Sequence, residues 1–241
     1  MKTTLTFLAL CASIFFVSCK TSSPTAPAND YGTPTAEGTP TGSPSTATND
    51  ASGGSVTSPD GKLEVIIPAN ALSAATQISI QPGTNEAPLG VGAGYSLTPN
   101  GQTFSQPITL RFHYNTADIA GSDIHALAVA TQKDDHIWYA FNDVTLDSTA
   151  STVSITTSHF SWYTVLEYFR VTPETGNIKV NQTLGLRVDF DPFASDTDPA
   201  DALSPLREPS PYTNPEQVVW SVNGNLQANP GDGTVAPVSG S

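Results

Sequence analysis

The chain has 241 residues, of which 38% are hydrophobic and 13% charged, with 20 prolines and 18 glycines. This composition is typical of a turn-rich β-protein, and the length allows a leader, a linker and one or two modest domains. The formal net charge of −13 argues against a nucleic-acid partner, because no basic face could neutralise phosphates. The two cysteines, Cys11 and Cys19, lie in the first twenty residues, which excludes a disulfide or thiolate metal site in the body of the chain.

The first eighteen residues have the pattern of a secretory leader. A short positive start precedes the apolar run from Leu5 to Val17, which is too short for a comfortable membrane span. The run ends at Ser18-Cys19, and a small residue directly before a cysteine resembles the cleavage site of bacterial lipoproteins. The resemblance implies that residues 1–18 are a lipoprotein signal peptide and that Cys19 becomes the lipidated first residue, held on a membrane by several acyl chains. The alternative is an ordinary leader with an incidental cysteine.

Residues 19–52 consist almost entirely of Thr, Ser, Pro, Ala, Gly and Asn. Such a segment cannot bury enough apolar area of its own to offset chain entropy. It is therefore predicted to be a disordered, lipid-anchored tether, extended by its prolines.

Residues 53–168 show short strand patterns separated by turn residues, with no helical period. This spacing predicts an all-β fold and a β-sandwich. Gly90-x-Gly92-x-Gly94 is not followed by a helical pattern and predicts a mobile loop, not a phosphate cradle. The predicted strands are Leu63–Ile67, Gln77–Ile80, Tyr95–Gly101, Pro107–Phe112, Ala126–Thr131, Ile137–Phe141 and Val153–Thr157.

Four stretches in this region resemble the ZU5 domain, which occurs in ankyrins, netrin receptors and a death-domain scaffold that activates caspases. Similar modules appear in bacterial lipoproteins. The resemblance implies a ZU5-like β-sandwich over residues 53–168, without the signalling partners of the animal proteins, whose companion domains are missing. The stretches are Gly53-Gly54-Ser55-Val56, Ile67–Leu72, Tyr95-x-Leu97-x-Pro99 and Phe104-x-x-Pro107-Ile108-Thr109-Leu110.

The pattern changes after residue 168. Leu184-x-Leu186-x-Val188-x-Phe190 is a strongly alternating strand, and Val218–Gly224 is a second strand that ends in a turn. These features resemble the start of a bacterial immunoglobulin-like module over residues 169–241. Since such a sandwich needs roughly 100 residues, we expect the module to be incomplete and the chain to be a fragment, or else the module to be atypical.

The strongest candidate for chemistry is His159-Phe160-Ser161, which places an imidazole and a hydroxyl on either side of one peptide bond. Val153 and Ile155 lie on one strand face, whereas Phe160 has the opposite parity. A change of phase without a turn predicts a bulge, with strain at the Phe160–Ser161 bond.

A matching His-Phe-Ser is the self-cleavage site of the caspase-activating scaffold that contains a ZU5 domain. Carried over to this chain, the resemblance implies that His159 is the base, Phe160 the acyl donor and Ser161 the nucleophile of an N-to-O acyl shift. The alternative is that Phe160 and Trp162 are core aromatics and that His159 and Ser161 are merely their polar neighbours.

Metal chemistry has weaker candidates. Asp196, Asp198 and Asp201 could bind Ca²⁺ through clustered carboxylates, but the glycine and closing glutamate of a calcium loop are missing, so a solvated acidic loop is favoured. His113, His125 and His136 lack metal-ligand spacing and are expected to be solvated or edge-strand residues. No cofactor is predicted.

Together these patterns predict an extracytoplasmic lipoprotein of the bacterial cell envelope, favouring the outer membrane. Cys19 would attach it to the membrane, and its β-sandwich modules would bind a surface protein or glycan or act as spacers. Two alternatives remain open: self-cleavage between Phe160 and Ser161, and an enzyme domain beyond Ser241.

Overall fold

The computed structural model describes residues 32–119, 122–173, 186–190, 203–207 and 209–211. The predicted signal peptide and Cys19 lie outside these residues. Within them, no helix is long and apolar enough to cross a bilayer. The described residues contain one 3-10 turn, Ile124–Ala126. Their strands are β1 Ser45–Asn49, β2 Gly54–Thr57, β3 Leu63–Ile67, β4 Thr76–Gly83, β5 Gly90–Thr98, β6 Thr103–His113, β7 Leu127–Gln132, β8 Trp138–Phe141, β9 Thr145–Asp147, β10 Thr152–His159, β11 Trp162–Glu167, β12 Phe169–Pro173, β13 Leu186–Phe190, β14 Leu203–Pro205 and β15 Ser210–Pro211.

The fold is all-β, as predicted, with two antiparallel sheets in a sandwich-like arrangement. Sheet I has the strand order β1-β4-β5-β11-β7-β8-β14, and sheet II has the order β2-β3-β6-β10-β9. A three-stranded sheet III contains β12, β13 and β15. The alternating sequence patterns were a reliable guide to strand position, because alternate side chains of a strand face opposite sides of its sheet.

The main core lies between sheets I and II. Strand β3 buries Leu63, Val65 and Ile67, and β10 buries Val153 and Ile155. A second apolar cluster lies on the outer face of sheet I, because Trp162 and Leu166 of β11 have the opposite parity to the core residues Tyr163 and Val165. Both faces of β11 are therefore buried, which predicts that another part of the chain covers sheet I.

The prediction of a disordered tether over residues 19–52 is wrong from residue 32 onward. Ser45–Asn49 forms β1, which pairs antiparallel with β4, and Pro40 forms an isolated bridge with Gly83. The prediction from composition failed because it considered only the apolar area of the segment itself. Here the stabilising contacts are backbone hydrogen bonds to an existing sheet edge, which any residue except proline can donate.

The predicted loop at Gly90-x-Gly92-x-Gly94 is also wrong, since these glycines lie within β5. A Cβ at Gly90 would lie 2.5 Å from the side chain of Asn85, so the strand passes too close to a neighbouring loop for a larger residue. Gly92 has φ +65, and the pairing of β5 with β11 shifts register at this point. The glycines therefore mark a bulge and a close backbone approach.

The predicted boundary at residue 168 does not separate two independent folds. Strand β14 comes from the stretch assigned to the immunoglobulin-like module, yet it pairs with β8 as an edge strand of sheet I. Leu203 and Leu206 are buried there. The sequence did not predict β14 because a three-residue strand is too short to show alternation. Its partner, the free edge of β8, cannot be identified from local sequence either. Val218–Gly224 lies outside the described residues.

Candidate functional site at the corner between the sheets

Phe160 and Ser161 form the corner at which the chain leaves sheet II and enters sheet I. They lie between β10, whose partner is β6, and β11, whose partners are β5 and β7. The pairing of β10 with β6 shifts register between Thr157 and His159, which confirms the predicted bulge. Because of this shift, Phe160 faces the same core as Val153 and Ile155 despite its opposite parity, whereas Trp162 faces the outer cluster.

Phe160 anchors the corner in the core. Its side chain is 1% exposed and packs edge-on against Phe104, with ring centroids 4.9 Å apart. Its N–H donates to the carbonyl of Gln102 at 3.0 Å, and its own carbonyl accepts from Gly101 N–H at 3.2 Å. Gly101 has φ +72 in the turn that starts at Pro99, a conformation that favours glycine. A backbone donor is thus already aimed at the carbonyl that Ser161 would attack.

Ser161 is half-buried, and its hydroxyl donates to the carbonyl of Gln132 in β7 at 2.6 Å. Its own carbonyl accepts from Leu97 N–H at 3.0 Å. The hydroxyl proton therefore points toward sheet I. Attack on the Phe160 carbonyl requires this proton to pass to a base.

His159 is half-buried beside a small polar cluster. Its Nδ1 lies 3.4 Å from Thr157 Oγ1, and its carbonyl accepts from the hydroxyl of Tyr163 at 2.7 Å. The hydroxyls of Thr157 and Tyr163 are 3.2 Å apart. A cavity of about 180 Å³ opens beside the imidazole, lined by Pro107, Phe141, Thr156, Thr157, Ser158, His159 and Leu203.

Sequence reasoning missed the partners of the motif, namely Gln132, Gly101 and Tyr163. Tyr163 lies within the same stretch, but the other two come from distant strands and turns. Strain at the Phe160–Ser161 bond was predicted from the phase change. It does not take the form of a positive φ, because the described non-glycine residues with positive φ are Asn70, Leu89, His136 and Ser151.

The scattered histidines lie apart from the corner. His113 is exposed at the end of β6, and His136 occupies a hairpin turn with φ 62. His125 Nδ1 lies 2.6 Å from Asp123 Oδ1, and hydrogen bonds from the backbone and ring of His125 lower the pKa of Asp123. In the part of the chain that the structure describes, no three His, Cys, Asp or Glu residues are grouped to hold a metal ion. Asp196, Asp198 and Asp201 lie outside it.

Residues 32–42, which we call the strap, cross the outer face of sheet I. At one end Gly32 N–H donates to the Leu206 carbonyl at 2.6 Å, and at the other Thr41 N–H donates to the Pro82 carbonyl at 2.7 Å. Between them, Thr35 Oγ1 accepts from Trp138 Nε1 at 2.9 Å and from Gln132 Nε2 at 3.0 Å. The strap thus covers the outer apolar cluster.

The sequence contains one signal of the strap that the prediction from composition did not use. Gly-Thr-Pro-Thr occurs twice, at residues 32–35 and 38–41. Gly38 is buried against the Trp162 ring, and a Cβ there would lie 2.9 Å from that ring and 2.2 Å from the Thr84 carbonyl. The repeated glycine therefore has a packing role.

These features define the class of the protein as an antiparallel β-sandwich with a His-Phe-Ser corner between its sheets and a strap across one face. The chain matches no known protein family and no curated protein in comparisons with both.

Proposed function

We propose that this protein is a membrane-anchored lipoprotein of the bacterial cell envelope that displays a ZU5-like β-sandwich for binding outside the cytoplasm. The anchor rests on Ser18-Cys19 behind a short apolar run. The observation that carries the display role is the strap, whose first described residue, Gly32, is hydrogen-bonded to Leu206 of the sandwich. The thirteen Cα–Cα steps from Cys19 to Gly32 span at most about 45 Å, so the sandwich would be held close to the membrane.

Gly32 is hydrogen-bonded to Leu206, so the chain that comes from the predicted anchor lies beside the chain that completes sheet I. The surface of the sandwich away from this contact would be offered to a protein or glycan partner.

Replacement of Cys19 by Ser tests the anchor. The variant should move from the membrane fraction to the soluble fraction, since no acyl chains can be attached, whereas the matched Cys11→Ser variant should stay with the membrane. Immunoblots of both fractions measure this distribution. Retention of the Cys19→Ser protein on membranes would exclude the lipoprotein assignment.

Self-cleavage between Phe160 and Ser161 is the second candidate, and the hydrogen bond from Gly101 to the Phe160 carbonyl favours it. Ser161 Oγ would bond to the Phe160 carbonyl carbon while the carbon–nitrogen bond breaks. His159 would take the hydroxyl proton and deliver it to the departing nitrogen. Water would then hydrolyse the ester to a Phe160 carboxylate and a free Ser161 amine. Before the attack, Ser161 Oγ would rotate away from the Gln132 carbonyl. Gly101 N–H would then stabilise the oxyanion that forms at the Phe160 carbonyl oxygen.

Denaturing electrophoresis of freshly purified protein tests this candidate. Wild-type protein should give two bands, Ser161→Ala one band, and His159→Ala mostly the uncut band because its base is lost. Ser158→Ala is the matched control, since Ser158 is an exposed hydroxyl on the same strand. A single wild-type band would reduce the motif to a packed corner.

A further inference from the structure

The surface beneath the strap is a groove built for an extended polypeptide. Of the strap residues, only Gly32, Thr35 and Gly38 are not exposed. Backbone atoms make most of the contacts, as in the bonds of Thr39 N–H to Thr84 Oγ1 and of Thr84 N–H to the Thr39 carbonyl, both 2.9 Å. We call Thr84, Gln132, Trp138 and Trp162 the strap seat.

The seat selects its occupant at two positions. Thr35 presents a hydroxyl oxygen to two buried donors, Trp138 Nε1 and Gln132 Nε2. Three residues later, only glycine fits between the Trp162 ring and the Thr84 carbonyl. The groove therefore takes an extended Thr-x-x-Gly segment, and the strap itself shows this chemistry.

A short exposed segment joins the strap to β1. Gly42 has φ +68, and no atom lies within 4 Å of where its Cβ would be. Ser43 and Pro44 are exposed before β1 begins at Ser45. Gln81 Nε2 donates to the carbonyls of Thr41 and Gly42 at 3.2 and 3.3 Å, so a released strap would break these bonds and turn about Ser43 and Pro44.

We propose that the strap seat of one copy also binds the strap of a second copy, so that neighbouring molecules exchange straps. An exchanged pair makes the same strap contacts as two separate molecules, which keeps the energetic cost of exchange low. The remaining cost is the entropy of association, and it falls when copies are held at high local concentration.

Single-cysteine chains test the exchange. One full-length chain carries Thr39→Cys and the other Thr84→Cys, both with Cys11 and Cys19 replaced by Ser and both kept in mild detergent. Thr39 and Thr84 are exposed neighbours across the junction between strap and sheet. Since each chain has one thiol, a disulfide between these positions forms only when the strap of one copy occupies the seat of another. A Thr145→Cys chain, whose thiol is exposed on β9, replaces the Thr84→Cys chain as a collision control.

Gly38→Ala shows which of the two chains supplies the strap and which supplies the seat. In the Thr39→Cys chain it should abolish the cross-linked dimer, because that strap no longer fits any seat. In the Thr84→Cys chain it should raise the dimer yield severalfold, because the chain's own strap no longer competes. Denaturation curves of both Gly38→Ala chains should show a cooperative transition, which checks that the variants remain folded. A yield no higher than the Thr145 control, or one that does not depend on which chain carries Gly38→Ala, would overturn the proposal.

Discussion

A hydrogen bond between two side chains joins the two sheets at the turn between β2 and β3. Tyr95 of β5 donates its hydroxyl to Asp60 Oδ2 at 2.7 Å, and Ser58 Oγ donates to Asp60 Oδ1 at 2.5 Å. Asp60 lies in the turn between β2 and β3, so this bond connects sheet I to sheet II. Burial and the hydrogen bond to Asp60 raise the pKa of Tyr95, which keeps its hydroxyl protonated and able to donate.

The Asp60 carboxylate should give part of the acid sensitivity of the fold. Burial works to raise its pKa, but hydrogen bonds from Ser58, the Lys62 backbone and Tyr95 together lower it. The folded state therefore binds fewer protons than the unfolded state. The stability that the ionised Asp60 carboxylate contributes is present above its unfolded pKa of about 4. It is lost as the pH falls through the folded pKa.

In Asp60→Asn, the free energy of unfolding should be lower at neutral pH, because one amide oxygen replaces two carboxylate acceptors. It should also fall less steeply below about pH 4 than in the wild type. Urea denaturation at several pH values measures both effects. Asp134→Asn, in an exposed turn, is the control. An acid slope equal to that of the wild type would show that Asp60 does not contribute to it.

The strap is the element on which the outer apolar cluster depends. Trp138 is buried, and its indole N–H has Thr35 Oγ1 as acceptor. The buried Gln132 donates to the same oxygen but also to the carbonyls of Thr35 and His136, so the Trp138 indole is the donor that depends on the Thr35 hydroxyl. A buried donor left without an acceptor costs about 1–3 kcal/mol, more than the hydrogen bond itself contributes.

Replacement of Thr35 by Val keeps the shape of the side chain and removes this acceptor. We expect the free energy of unfolding to fall by about 1–3 kcal/mol, measured by chemical denaturation and followed by tryptophan fluorescence. Thr41→Val is the matched control, because Thr41 is exposed and contacts the sheet through its backbone. Equal losses in the two variants would show that the Thr35 hydroxyl is not what holds the strap.

At the scale of the whole molecule, β14 makes the sandwich depend on chain that lies beyond residue 168. Leu203 is fully buried next to β8, whereas Leu186 of β13 is 40% exposed. Sheet I is thus completed by residues more than thirty positions after its central strand β11.

Leu203→Ala should lower the stability of the whole sandwich by about 2–5 kcal/mol, as expected for a buried leucine. Leu186→Ala should cost less than about 1 kcal/mol, because an exposed side chain loses little burial. Denaturation monitored by Trp138 and Trp162 in sheet I measures the effect. If residues 169–241 formed an independent module, Leu203→Ala would leave this transition unchanged.

The sequence alone was sufficient for the alternating core strands and for one irregularity, but not for β1, the glycine-rich half of β5 or β14. Alternation identified Leu63–Ile67 and Val153–Thr157, because side-chain parity is a local property that burial imposes on every strand. The parity change before Phe160 predicted the bulge for the same reason. The candidate residues His159, Phe160 and Ser161 were also identified from local sequence.

Tertiary structure alone decided which segments meet. The strap and β14 join sheet I through backbone hydrogen bonds, and a backbone donor carries no mark of its partner in the sequence. The direction of the Ser161 hydroxyl was equally hidden, since Gln132 comes close only after β7 has paired with β11. Local periodicity thus located the alternating core strands, and non-local pairing determined what covers Trp162 and what holds Ser161.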